Sequence, residues 1–245
     1  STPLHCAARK GHVQVCEVLL DVAWQKNPAD YLGRTPLHYA AREGHVEICK
    51  MIMCCIDDLN PYDYGEDAWT PFELAPREGH LQVCEAMMSV MKDKNPKSKV
   101  ELRKWSTPLH TAAEYDRLDV CNAIMKQIKD KNPIMVTGCT PLHLAARSGH
   151  SSVCEAIMKN THIKSPKDKD GLTPLHCAAR SCQFETCETI LEKVTDKNPA
   201  DDKGKTPLHF AAMHGNLKIV KKILTKLHNH VVDKNPTNNK GLIPM

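Results

Sequence analysis

The stretch Thr140–Lys159, TPLHLAARSGHSSVCEAIMK, holds one complete unit of a pattern that fills the chain. The Thr140 hydroxyl is suited to accept from an orphan amide at a helix start, and Pro141 suits the first helical position, where its missing N–H costs nothing. Leu142, Ala145 and Ala146 then fall at helical spacing, and the paired alanines let a neighbouring helix come close. Gly149 ends this short helix at a position that tolerates left-handed backbone. A second helix follows, with Val153, Cys154, Ile157 and Met158 as its apolar stripe and Glu155 and Lys159 paired on the wet side. Two antiparallel helices of this kind cannot bury both stripes alone. The unit must stack on copies of itself.

The copies are present. Thr-Pro-Leu-His begins at Thr2, Thr35, Thr107, Thr140, Thr173 and Thr206; Thr70-Pro71-Phe72-Glu73 is a degenerate copy, and Ile243-Pro244-Met245 reads as the start of another. The steps between them are 33, 35, 37, 33, 33, 33 and 37 residues. The strings GRTPLHYAAREGHVEIC (Gly33 to Cys49) and GCTPLHLAARSGHSSVC (Gly138 to Cys154) resemble the ankyrin repeat, whose period is also 33. The resemblance covers nearly the whole chain. It implies an all-α repeat fold, a solenoid of about seven helix-turn-helix units joined by β-hairpin loops, in a single domain over residues 1–245.

The departures from the pattern are informative. Pro76 stands where the second alanine belongs and is expected to disturb that helix. The interval from the Asn of each Asn-Pro pair to the next Thr is 8 for Asn27, Asn132 and Asn198, but 10 for Asn60 and 12 for Asn95, so the hairpins before Thr70 and Thr107 are lengthened. The extra residues before Ile243 lengthen the last second helix or its exit. The tetrapeptide DKNP, at Asp93, Asp130, Asp196 and Asp233, reads as punctuation that ends a helix and turns the chain into the hairpin. The chain opens on a helix cap and stops as a further repeat begins, with no polar capping repeat, which is the expected appearance of a segment of a longer protein or of one whose caps are missing.

Composition bounds the class. The 245 residues are 41% hydrophobic and 25% charged, within the range of ordinary folded proteins, while aromatics are only 4%, as expected for close-packed helices in thin layers. No apolar run approaches the roughly 18 residues that cross a bilayer, and no signal segment opens the chain, so a soluble protein is expected. Net charge is +4, but Lys203–Met245 alone carries +7 and the rest −3. The lysines Lys218, Lys221, Lys222 and Lys226 of that basic end read either as a solvated helix face or as a site for nucleic acid or acidic membrane.

Cysteine and histidine are abundant, yet their placement is structural. Cys16, Cys49, Cys84, Cys121, Cys154 and Cys187 share one position in successive second helices, too far apart for disulfides, and no C-x-x-C pair suggests zinc. They read as core thiols, which together with the lack of a glycosylation sequon favours a reducing, cytoplasmic setting, the nucleus included. Cys54, Cys55, Cys139 and Cys182 fall outside that register and are the candidates for reactivity. Six of the 14 histidines belong to TPLH (His5, His38, His110, His143, His176, His209), and four follow glycine. A catalyst needs one constellation, not a copy per repeat. The resemblance implies that the TPLH imidazole bonds to backbone or to the Thr hydroxyl. His228 and His230 are spaced so that their rings point to different faces of a helix.

No nucleophile elbow, phosphate-binding glycine loop or H-E-x-x-H motif is present, so neither an enzyme nor a cofactor is expected. The resemblance implies instead a concave surface of variable first-helix positions and hairpin tips that grips another protein. Small-molecule substrates are not expected. The partner-binding candidates are Arg42, Arg77, Arg147 and Arg180, which share one first-helix slot; Tyr39, Tyr115 and Phe210 in other variable slots; and Tyr31, Tyr62, Tyr64, Trp69 and Trp105 in hairpins. The arginines read equally as partners of neighbouring carboxylates, and Trp69 and Trp105 as local loop packing. Two functions follow: a non-catalytic interaction scaffold, or the cytosolic ankyrin segment of a larger protein with its own activity, such as an ion channel, a kinase or a ubiquitin-ligase subunit.

Overall fold

The computed structural model of the chain describes residues 1–65, 68–98 and 106–228. The DKNP copy at Asp233, His230 and the opening at Ile243 lie outside them. The chain forms two compact units, Ser1–Lys129 and Asp130–Met245. In the first, helix pairs follow one another as α1 (Pro3–Lys10) and α2 (Val13–Val22), α3 (Pro36–Glu43) and α4 (Val46–Met53), α5 (Pro71–Glu78) and α6 (Leu81–Val90), and α7 (Pro108–Glu114) and α8 (Leu118–Gln127). The second contains α9 (Pro141–Ser148), α10 (Ser151–Asn160), α11 (Pro174–Arg180), α12 (Phe184–Lys193), α13 (Pro207–Met213) and α14 (Leu217–His228). Within each unit the first helices pack side by side in one layer and the second helices in another. The last second helix is the longer one expected, at 12 residues.

Every first helix begins with a reciprocal cap. The Thr side chain accepts from the third helical amide, and the third side chain accepts from the Thr amide, as in a capping box with histidine in place of Glu or Gln. In α3 the Thr35 N–H donates to His38 Nδ1 at 3.0 Å and the Thr35 hydroxyl lies 2.9 Å from the same nitrogen. Nδ1 is thereby an acceptor, and the ring proton sits on Nε2. That Nε2–H donates to the next hairpin: His5 to Arg34 O at 3.0 Å, His38 to Trp69 O at 3.1 Å, His143 to Leu172 O at 3.0 Å and His176 to Lys205 O at 3.1 Å. One imidazole thus caps its own helix and holds the following repeat. Glu73 keeps the cap in α5, its carboxylate accepting from the Thr70 N–H at 3.3 Å and hydroxyl at 3.1 Å.

The histidines after glycine form a second series of ties. His45 Nε2 donates to Arg9 O at 3.2 Å and His80 Nε2 to Arg42 O at 2.8 Å, while Arg117 takes this place with Nε donating to Arg77 O at 3.0 Å. The preceding glycine is part of the fit. Gly44 has φ +82°, and a Cβ there would come within 2.6 Å of the His80 ring.

The core is aliphatic and thin. Ile48, Ile52, Val83, Met87, Val120 and Ile124 have no exposed area, or almost none, and the paired alanines at 40–41 and 112–113 are closed off completely. Pro76 does not disturb α5, which runs the same eight residues as α3. Proline removes one helical bond, but in so short a helix the reciprocal cap at Thr70 and the Gly79 terminus hold both ends.

DKNP does more than end a helix, and the helix end is not set by its proline. The second helices stop at Val22, Val90, Gln127 and Lys193, well before Pro28, Pro96, Pro133 and Pro199. Three of the four letters have a task. The Asp carboxylate accepts the Asn N–H (Asp93 to Asn95 and Asp130 to Asn132, both 2.9 Å), and the Lys ammonium reaches back to the last carbonyls of the helix (Lys94 to Met88 and Met91, Lys197 to Leu191 and Val194). The Asn amide oxygen crosses the hairpin to accept a first-turn amide of the next helix. Asn27 accepts from Leu37 at 3.1 Å, Asn60 from Phe72 at 3.0 Å, Asn95 from Leu109 at 3.0 Å and Asn198 from Leu208 at 3.2 Å.

The hairpins are tight turns, and no strand occurs among the described residues. Asp30, Asp168 and Asp201 each donate the backbone N–H to the carbonyl of the residue four positions on and use Oδ1 to accept amides inside the turn. Adjacent tips are linked, Tyr64 N–H to Leu32 O at 2.7 Å in the first unit and Lys169 N–H to Thr137 O at 3.1 Å in the second.

Candidate functional site

Once the repeated Thr, His, Gly and Asn are spent on caps and ties, several remaining side chains of the first unit converge between α3 and α5. A depression of about 180 Å³ is lined by Tyr39, Arg42, Trp69 and Arg77, all expected from sequence, and by Arg34, Asp63 and Leu74. Tyr39 stands on α3 and packs edge-on against the His5 ring at 5.9 Å; its hydroxyl donates to Asp30 Oδ2 at 2.9 Å. Burial pushes the Asp30 carboxyl up, but bonds from the Tyr39 hydroxyl and the Leu32 and Arg34 amides outweigh it and hold the group below its ordinary value. Burial and the same bond raise the Tyr39 phenol. Arg34 Nε faces Asp63 Oδ2 at 3.4 Å.

Arg77 is the centre of a stack. Its guanidinium carbon lies 4.8 Å from the Trp69 ring centroid and 5.4 Å from that of Tyr115, while Nε stands 3.8 Å from Glu78 Oε1. Three candidates from three successive repeats thus form one assembly. Arg42 is exposed, and its guanidinium has no hydrogen-bond or ion-pair partner among the described residues.

Trp69 is not the exposed anchor that its hairpin position suggests. Only 7% of its surface is accessible, because its N–H donates to Asp63 Oδ1 at 2.9 Å, its carbonyl takes the His38 bond, and Arg77 covers the ring. The lengthened loop folds the indole inward and makes it the floor of the depression. Trp105 lies outside the described residues. Tyr31 and Tyr64 are exposed at 84% and 73%, and Tyr62 is half-buried. The sequence reading missed Trp24, which is fully exposed after α2. Its signal was its register, since Asp57, Lys92, Lys129 and Thr195 precede the corresponding tetrapeptides. Arg34 and Asp63 were also missed, although Asp63 stands three residues after Asn60 as Asp30 and Asp201 stand after Asn27 and Asn198, a recurrence visible in the sequence.

The second unit has its own depression, of about 360 Å³, which includes Arg180, Lys203, Lys205, Phe210 and Met213. Phe210 packs edge-on against His176 at 5.8 Å and lies under the Lys205 ammonium at the same distance. Arg147 is exposed on α9. Of the lysines on α14, Lys222 is paired with Glu188 and Lys226 is half-buried, so Lys218 and Lys221 are the exposed pair.

The six register cysteines are all fully buried, and burial pushes the thiols of Cys49, Cys121 and Cys187 up to about 12. Cys54, Cys55 and Cys182 are exposed and Cys139 half-buried; Cys6 is exposed as well. Among the described residues no group of three His, Cys, Asp or Glu could hold a metal ion, and no helix is long and apolar enough to cross a membrane.

Comparison with known proteins agrees with this architecture. The family model described as ankyrin repeats (3 copies) matches residues 1–63, 72–166, 109–201 and 161–238. No curated protein matches the sequence. Among solved structures, the crystal structure of the human ASB11 ankyrin repeat domain superposes with a TM-score of 0.77 at 19% identity, covering 92% of this chain and 98% of that one. At that identity the likeness is one of fold. The family match spans nearly the whole sequence, and the chain belongs to the ankyrin repeat family.

Proposed function

We propose that the chain is a non-catalytic scaffold that binds another protein through the first-helix and hairpin face of Ser1–Lys129, centred on Tyr39, Arg42 and Arg77. Ankyrin repeats generally mediate protein–protein interaction, which is the family-level support. The observation that carries the reading for this chain is the convergence of variable residues. The repeat's fixed Thr, His, Gly, Asn and Lys are consumed by bonds within and between repeats, while Tyr39 and Trp69, which differ between copies, meet Arg42 and Arg77 of the shared first-helix slot in one depression. Such anchors, partly enclosed and already ordered, lose little freedom on binding. A larger depression of this unit, about 630 Å³ between α6 and α8, is lined mainly by polar and charged chains such as Glu85, Ser89, Asp119 and Asn122, together with Leu81 and Met88, and offers no aromatic anchor. The buried thiols fit an intracellular site of action.

The test is comparative capture from cell extract with the full chain as bait. Proteins retained by the wild type and by Ser89→Arg, on the second-helix face, but lost from a Tyr39→Ala/Arg42→Ala double variant support the assignment. Unchanged retention by the double variant would overturn it.

A further inference from the structure

The depression between α3 and α5 has a chemistry that narrows what it takes. We propose that it receives a carboxylate side chain of an acidic peptide segment, flanked by an apolar residue of the same segment; this rests on the proposed binding face and specifies its ligand. Three guanidiniums, from Arg34, Arg42 and Arg77, line a space that contains one carboxylate, Asp63. That carboxylate is already engaged. Its Oδ1 accepts the Gly65 and Trp69 amides at 3.2 and 2.9 Å, and its Oδ2 faces Arg34. Glu78 stands beside Arg77 and Glu43 follows Arg42 in sequence, but neither lines the depression. A surplus of positive charge remains in a partly enclosed site, where it acts more strongly than in open water.

The three arginines divide the work. Arg34 is oriented by Asp63 and Arg77 by the rings of Trp69 and Tyr115, so both are positioned in advance. Arg42 supplies the open fork, since its guanidinium has no partner among the described residues and carboxylate geometry matches it bidentately. Tyr39, with Leu74 and Trp69 beneath it in the lining, gives the neighbouring apolar contact. The volume suits a single side chain, which argues for a segment that inserts one residue and runs along the face. The depression of the second unit also sets cations beside apolar groups, Arg180, Lys203 and Lys205 around Phe210 and Met213, but Asp170 and Asp201 line it too, so its positive surplus is smaller.

The experiment uses the full chain and three fluorescent peptides that share one leucine and differ only in having Glu, Gln or Lys at the flanking positions, with anisotropy as the readout. The Glu peptide binds at least about tenfold tighter than the Gln peptide, its affinity falls with salt, and Arg42→Ala weakens it by about tenfold while Arg42→Lys recovers part of the loss. Circular dichroism confirms that these exposed substitutions leave the helices intact. Equal binding of Glu and Gln peptides, no binding of the Glu peptide, or an unchanged affinity in Arg42→Ala overturns the acidic preference. If the three peptides bind alike and Tyr39→Ala weakens them all, the face stands as a binding surface and only its charge selectivity falls. Equally effective competition by heparin shows a general polyanion site and also overturns the peptide assignment.

Discussion

At the residue scale, the TPLH histidine uses both ring nitrogens. Its two nitrogens have opposite roles, Nδ1 accepting from Thr and Nε2 donating across to the next hairpin, and only the neutral ring can do both. Burial lowers the imidazoles of His38 and His176 to about 4, and those of His5 and His143 in the same direction, even though the backbone carbonyl at Nε2 pulls the other way. An unfolded histidine titrates near 6.5. Folding therefore excludes a proton that the unfolded chain binds, and the associated stability is complete above that value and lost as pH falls through it toward 4. A depression of this size is worth on the order of 3 kcal/mol per ring. The thermal midpoint is expected to drop by roughly 10 °C or more between about pH 7 and about pH 4.5, and His38→Gln together with His176→Gln, which keep an acceptor for the cap, should flatten that dependence. A midpoint that is insensitive to acid would contradict the assignment of the neutral tautomer.

At the element scale, the notable feature is how the ends of short helices are satisfied. A helix of seven or eight residues leaves most of its terminal amides and carbonyls without partners of its own. The chain meets this with Thr and His at the start of the first helix and the DKNP asparagine reaching it across the hairpin, while the DKNP lysine serves the last carbonyls of the second helix. Asn198→Ala removes an acceptor from the Leu208 amide and is expected to cost about 1 kcal/mol. Asn132 offers a contrast, because its buried Oδ1 has no partner among the described residues. Asn132→Ala should be close to neutral by urea denaturation, and equal losses at the two positions would show that the amide oxygen is not what matters. These ends also mark the limit of sequence reading. The Thr, Pro and Gly boundaries of α9 were legible because each acts on its own backbone. The Lys94 and Lys197 caps were not, since a flexible chain reaching back to carbonyls of the preceding helix leaves no local pattern. The inward turn of Trp69 was hidden for a related reason: it depends on Asp63 and Arg77, which are brought to it by the loop and by the next helix.

At the scale of the whole molecule, the repetition separates residues that hold the array from residues that distinguish one repeat from another. The fold could be read almost entirely from the first kind. The candidate site belongs to the second kind, and there the sequence supplied the slots, Tyr39, Arg42, Arg77 and Tyr115, without revealing that Arg77 stacks between two rings or that Arg34 and Asp63 complete the setting. Binding on the first-helix face of Ser1–Lys129, as proposed, leaves the layer of second helices free of the partner. The most direct measurement is photo-cross-linking in extract with a benzophenone amino acid placed singly at position 39 or at position 89 of the full chain. Specific cross-linked partners at position 39 and none at position 89 are predicted; cross-linking confined to position 89 would contradict the account.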